Sequence, residues 1–143
     1  MPVPTASLTR VVQFSAAHRY FRPDWTEERN AEAFGACARP HGHGHSYRCE
    51  VTVRGALDPE TAMVMDLGDL DRILAEDVVA RYDHRHLNLD APEFAYGQTV
   101  PTGEALCVEI WRRVAARLPA GRTLSCVRVQ EEPSLWAEYR GET

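Results

Sequence analysis

The stretch Cys37-Ala-Arg-Pro-His41-Gly-His43-Gly-His45-Ser-Tyr47 constrains this chain more than any other, because it places three of the six histidines within a few residues of one another. From His43 onward the odd positions read His43, His45, Tyr47, Cys49, Val51 and Val53, and the even ones Ser46, Arg48, Glu50, Thr52 and Arg54. Alternation of that period specifies a half-buried antiparallel strand. His43 and His45 therefore share its apolar face and can aim their ring nitrogens at one point. Gly42 and Gly44 let a ligand or another backbone approach closely.

A second strand is expected over Leu8 to His18, with Val12, Phe14, Ala16 and His18 on one face, so that His18 ends it pointing inward. Residues 19–42 read as a long connection holding a short acidic turn or helix around Thr26 to Phe34, and connections of that length are often functional. Asp58-Pro59 closes the histidine strand. Asp66 is placed to cap a helix whose Leu67, Leu70, Ile73, Leu74 and Val78 recur at helical spacing as far as Tyr82. A polar, irregular connection, Asp83 to Asn88, follows. Thr102 caps a second helix with Leu106, Ile110, Val114 and Leu118 in its stripe, stopped by Pro119-Ala-Gly121. Strands over Thr123 to Glu131 and Leu135 to Arg140 complete the order ββααββ. The pattern predicts an α+β fold in which a four-stranded antiparallel sheet carries two helices on one face, with residues 1–143 forming one domain. Such a sheet has open edges, so pairing with other subunits is expected.

A formal net charge of -5 speaks against a nucleic-acid surface, which needs clustered cations. No apolar run approaches the ~20 residues that cross a bilayer, and no secretory leader is evident, so a cytoplasmic protein acting on a small molecule is expected. Cys37, Cys49, Cys107 and Cys126 lack CxxC spacing and read as free thiols.

Three imidazoles without a fourth protein ligand match a catalytic zinc, whose remaining position is left for water or substrate. Neighbouring antiparallel strands can bring His18 to His43 and His45; spacing alone leaves open whether His41 replaces His45, or whether the histidines decorate a surface turn. Cys37 is a candidate base or nucleophile if a cation or a His-Asp pair depresses its pKa. Asp83-His84 is a pair in which the carboxylate orients the imidazole. Glu131 lies on the face of Val127 and Val129, where a carboxylate must find donors, water or a ligand with adjacent N–H groups; spacing alone favours the alternative, a solvated turn at Glu131 and Glu132.

Over nearly its whole length the chain resembles the 6-pyruvoyl-tetrahydropterin synthases and their relatives. The likeness rests on FSAAH at 14–18, FGACARPHGHGHSY at 34–47, MVMDLGDL at 63–70, YDHRHLN at 82–88, PTGE at 101–104, VRVQE at 127–131 and YRGE at 139–142. It implies the tunnelling fold (T-fold), with subunits joined into trimeric barrels that stack as a homohexamer with active sites at subunit interfaces. It implies 7,8-dihydroneopterin triphosphate as substrate and Zn2+ as cofactor. By position, His18, His43 and His45 would bind zinc, Cys37 would be the base with Asp83 and His84 as relay partners, and Glu131 would anchor the pterin, with Glu104 and Thr102 near it. His41 creates a second register, Cys37 followed more closely by His41-Gly-His43, which resembles the 6-carboxy-tetrahydropterin synthases of the deazapurine (queuosine) pathway. Ser46-Tyr47 and the long connection ending in Phe-Gly-x-Cys favour the 6-pyruvoyl register. A non-catalytic pterin-binding oligomer is the remaining alternative, and Cys37, Asp83 and His84 together count against it.

Overall fold

The computed structural model describes residues 2–143. Strands β1 (Thr5–His18) and β2 (His43–Ala56) pair antiparallel along their full lengths, from Thr5 opposite Ala56 to Ala16 opposite His45 and His18 opposite His43. Strict alternation on both strands sets this register, since a slip by one residue would turn Phe14, Tyr47, Cys49 and Val51 out of the core. β4 (Arg122–Glu132) pairs with β2, and β5 (Leu135–Tyr139) with β4.

The sheet has five strands, rather than the expected four, in the order β3 (Arg85–His86), β1, β2, β4, β5. The additional strand β3, Arg85–His86, runs parallel to β1 beside Ala16 and Ala17. It is two residues long and polar, so it carries no alternation by which the sequence could show it.

Between β1 and β2, α1 (Glu27–Phe34) is capped by Thr26, whose hydroxyl accepts from Arg29 N–H, and a 3-10 turn over Gly35–Ala38 follows. Asn30, buried, accepts from Arg22 N–H and donates to the carbonyls of Arg22 and Thr26, tying this excursion together. The first expected helix is present as α2 (Leu67–Leu74), a π turn over Ala75–Val79, and α3 (Ala80–Tyr82). The wider turn keeps Val78 and Tyr82 in the core with Leu70 and Leu74. α4 (Leu87–Asp90) occupies part of the expected irregular connection. α5 (Gly103–Ala115) starts at the Thr102 cap and ends before Pro119, because only Leu106, Ile110 and Val114 of its stripe are buried. The core lies between the helices and the inward faces of β1, β2 and β4.

Candidate metal centre and substrate cavity

The pairing of His18 with His43 sets the geometry of the site. His18, His43 and His45 each offer a ring nitrogen, and these nitrogens lie within 4.8 Å of one another. His18 Nε2 and His43 Nε2 are 3.2 Å apart. Two nitrogens at 2.0–2.1 Å from a tetrahedral zinc are separated by roughly 3.3 Å, so this spacing needs little adjustment to hold the ion.

The other ring nitrogen of His18 is already committed. His18 Nδ1 lies 2.9 Å from the Pro101 carbonyl and 2.9 Å from the Tyr47 hydroxyl. Donation from Nδ1–H to that carbonyl leaves the Nε2 lone pair directed at its neighbours. Burial, then the adjacent His43 and His45, pulls the His18 pKa down from 6.5 to about 3, so the ring is neutral at pH 7, as a ligand must be. Burial also lowers His43. His45 Nε2 is buried without a hydrogen-bond partner, 3.9 Å from a Glu131 oxygen. A buried ring nitrogen left unpaired among neutral imidazoles fits a cation better than it fits a closed core.

Glu131 is only 7% exposed. The β4–β5 register shifts between Gln130 and Glu132, and this bulge leaves Glu131 facing inward with Val127 and Val129. Tyr20 donates its hydroxyl to Glu131 Oε1 at 3.0 Å. The second oxygen looks toward His45, and the side chain borders a cavity of about 350 Å3 shared with Gly103, Glu104 and Trp136. The Thr102 hydroxyl accepts from Ala105 N–H at 3.0 Å and so starts α5 at this cavity.

Cys37 is half-buried in the 3-10 turn, which is brought to the end of β1 by Tyr20 N–H donating to the Cys37 carbonyl at 2.9 Å. Tyr20 packs edge-on against His18 and Phe34, and Phe34 stacks on Trp25. Burial, then the Glu131 charge, pushes the Cys37 thiol up.

Asp83 and His84 stand elsewhere. Asp83 accepts from Ser15 N–H at 2.9 Å and from His84 Nδ1–H at 2.9 Å, and these bonds, the first foremost, hold its carboxyl below the usual range. His84 has φ 58 and a side chain 83% exposed. A left-handed histidine costs about 1 kcal/mol or more, and strain of this kind gathers where a side chain must be presented. No hydrogen bond or ion pair among the described residues joins this pair to Cys37. His41 is exposed in the turn before β2 and outside the imidazole cluster.

Sequence reasoning missed Tyr20, the Pro101 carbonyl and the second task of Tyr47. Tyr47 shares the face of His43 and His45, so period two contained that signal; a backbone carbonyl supplied across the fold had none.

The model of the 6-pyruvoyl tetrahydropterin synthase family matches residues 7–142. The chain is 44% identical over 135 residues to the 6-pyruvoyl tetrahydrobiopterin synthase of Poecilia reticulata, covering 94% of this chain and 90% of that one. To the enzyme of the same name from Homo sapiens it is 40% identical over 137 residues, covering 96% and 92%. The solved structure of Caenorhabditis elegans 6-pyruvoyl tetrahydropterin synthase superimposes with a TM-score of 0.91 at 33% identity, covering 99% of each chain. A match of this extent, in sequence and in fold, means that the chain belongs to the 6-pyruvoyl tetrahydropterin synthase family.

Proposed function

We propose that this protein is a zinc-dependent 6-pyruvoyl-tetrahydropterin synthase, a lyase that converts 7,8-dihydroneopterin triphosphate to 6-pyruvoyl-tetrahydropterin with loss of triphosphate. The observation that carries the proposal is the convergence of His18, His43 and His45 on the face that also holds Glu131, beside the Cys37 turn. The cluster uses the longer register, with His41 outside it, which favours the 6-pyruvoyl product over the 6-carboxy one.

His18, His43 and His45 would hold the Zn2+, which would supply Lewis acidity toward the hydroxyls of the substrate side chain and so acidify the neighbouring C–H groups. Glu131 suits the ring N–H and amino donors of a pterin through a pair of charge-assisted bonds. Tyr20 steadies Glu131 Oε1, leaving Oε2 turned toward the site. Glu104 lies beside the same cavity and adds acceptor oxygens near the ring. Cys37 Sγ takes the proton from the side-chain carbon, and proton removal there permits both the internal redox into the ring and expulsion of triphosphate. Burial and Glu131 push that thiol up; the charge of a bound Zn2+ would oppose this, and a base that takes the thiol proton would complete its activation. Asp83 and His84, locked to the edge of β1 and turned outward, are positioned to serve the Cys37 of a neighbouring subunit.

Such sharing requires an assembly. The outer edge of β5 is unpaired among the described residues, and Leu135 and Trp136 on it are exposed. Sheet edges of this kind are usually closed by other subunits, which supports trimeric barrels stacked as a homohexamer. No helix among the described residues is long and apolar enough to cross a membrane. Four free cysteines support a cytoplasmic setting.

Incubation of the zinc-loaded protein with 7,8-dihydroneopterin triphosphate, followed by mass analysis of the pterin, tests the proposal. A three-carbon diketo side chain retained at C6 is expected. A carboxylate with released acetaldehyde would assign the 6-carboxy reaction instead, and unchanged substrate would leave a binding protein.

A further inference from the structure

The loop that carries Asp83 and His84 is closed across its base by Glu93, a residue outside every segment on which the family likeness rests. The chain leaves α3 at Tyr82, runs through Asp83, His84, β3 and α4, and returns in a 3-10 turn over Pro92–Phe94. There the Glu93 carboxylate accepts from Arg81 Nη2 at 2.7 Å on each oxygen and from the Tyr82 hydroxyl at 3.0 Å. Arg113 of α5 stands 3.9 Å from the second oxygen. Burial opposes the charge, yet Arg81 foremost holds the Glu93 carboxyl below its usual range, so the clamp is ionised at neutral pH. The Arg81 and Glu93 side chains are only 27% and 18% exposed, which shields the pair from the solvent and salt that weaken surface ion pairs. The Tyr82 ring is buried between Phe14, 5.6 Å away, and Phe94, 6.3 Å away. Phe14 in turn stacks on Tyr47, whose hydroxyl meets His18 Nδ1.

We propose that Glu93, acting through Arg81 and Tyr82, is a positioning residue that fixes where the Asp83–His84 pair is presented to the Cys37 of a neighbouring subunit. This rests on the synthase reading, in which that pair serves the thiol, and it adds a residue to which that reading gives no task. Asp83 N–H makes the last helical bond, to the Val79 carbonyl at 2.9 Å, and His84 then enters the left-handed region at φ 58. Such a conformation persists where bonds on both flanks over-determine it. Ser15 ties Asp83 and His84 themselves, and Glu93 ties the two residues immediately before them. Without the clamp, α3 is free to shift along its axis, and the exposed imidazole at its end shifts with it.

The test uses the assembled, zinc-loaded protein and the variants Glu93→Gln and Tyr82→Phe, with zinc content, kinetics, the NMR signal of the His84 ring (assigned by its loss in His84→Gln) and the rate of Cys37 alkylation by iodoacetamide. Glu93→Gln should lower kcat by about tenfold, the scale of a small misplacement of a reacting group, with KM within about twofold and zinc content unchanged. It should move the His84 signal and leave that of His41 in place. It should also slow Cys37 alkylation by about threefold or more, because the thiol loses its proton acceptor. A merely structural Glu93 gives the opposite sign, since a loosened fold exposes the half-buried thiol and speeds alkylation. Tyr82→Phe keeps the buried ring and deletes one donor to Glu93; it should show the same changes at about threefold in kcat, and it carries the test if Glu93→Gln unfolds. Faster alkylation, or an unmoved His84 signal in both variants, would overturn the positioning role. Turnover in the parent with none of these effects refutes that role alone; no turnover in the parent, with the His84 signal moved and alkylation slowed in the variants, refutes the synthase reading alone.

Discussion

Gly42 and Gly44 flank His43 and invite the same substitution, yet the structure assigns them opposite outcomes. Gly42 has φ +69, and a Cβ there would sit 2.6 Å from the His18 carbonyl oxygen, 3.2 Å from its carbon and 3.3 Å from His86 Nε2. A left-handed alanine costs about 1–2 kcal/mol, and relief of a clash with backbone adds about 1–3 kcal/mol. The sum, about 2–5 kcal/mol, should lower the melting temperature of a chain this size by about 5–20 °C. The atom displaced first is the carbonyl of His18, so zinc affinity should fall as well, by about tenfold or more. At Gly44 the backbone is ordinary extended strand and the nearest atom to a Cβ, the Ala16 carbonyl oxygen, is 3.4 Å away. Gly44→Ala should therefore lie within about 1 kcal/mol of the parent, since alanine loses less entropy than glycine on entering a strand. Thermal melts at one protein concentration, with zinc and with chelator, read both effects. Equal melting temperatures for the two variants, or a larger loss for Gly44→Ala, would refute the close-approach argument.

Three further outcomes follow from the site. Cys37→Ala should retain about one zinc per chain, because Cys37 is outside the imidazole cluster, while kcat falls by about a hundredfold or more; a fully active variant would remove Cys37 as the base. Glu131→Gln should lower kcat/KM by about 10- to 100-fold, and, by deleting the charge that raises the Cys37 pKa, should speed alkylation of that thiol by iodoacetamide; slower alkylation would contradict the placement. In metal-free protein the folded His18 pKa, about 3, lies below its ordinary 6.5. The unfolded chain thus binds the proton first: this contribution is whole above pH 6.5 and is lost as pH falls toward 3, by up to about 1.4 kcal/mol per pH unit. Urea midpoints between pH 7 and 4 should drop more steeply for the parent than for His18→Gln, and parallel slopes would sink the assignment.

The sequence made the histidine face legible because one physical rule governs it. Period-two alternation put His43, His45 and Tyr47 on the apolar side of β2 and His18 on that of β1, and the antiparallel register needed only to align His18 with His43. The caps at Asp66 and Thr102 were legible for the same reason, each being a local oxygen for a local N–H. Glu131 was legible in part: its face could be read from Val127 and Val129, but the bulge that lets β5 continue past it, and the Tyr20 hydroxyl that holds one oxygen, arise from pairing across the fold. β3 was invisible, because its two residues join the sheet only by lying against Ala16 and Ala17.

That short strand bears on why the site is divided. Asp83 and His84 immediately precede β3, and each is tied to a backbone group of Ser15: its N–H donates to Asp83 Oδ1 and its carbonyl accepts from His84 N–H at 2.6 Å. Ser15 is three residues from His18 on the same strand, so the imidazole cluster and the outward pair share one rigid element. Ser15 and His18 point to opposite faces of β1, as their spacing requires. β1 thus presents His18 inward to the imidazole cluster and anchors an oriented His-Asp pair on its other face, and the strain at His84 is held by the same backbone that aligns His18 with His43. On the proposed function, docking a neighbouring subunit against that edge would bring Asp83 and His84 to its Cys37 without moving His18, which would couple assembly to activity through β1.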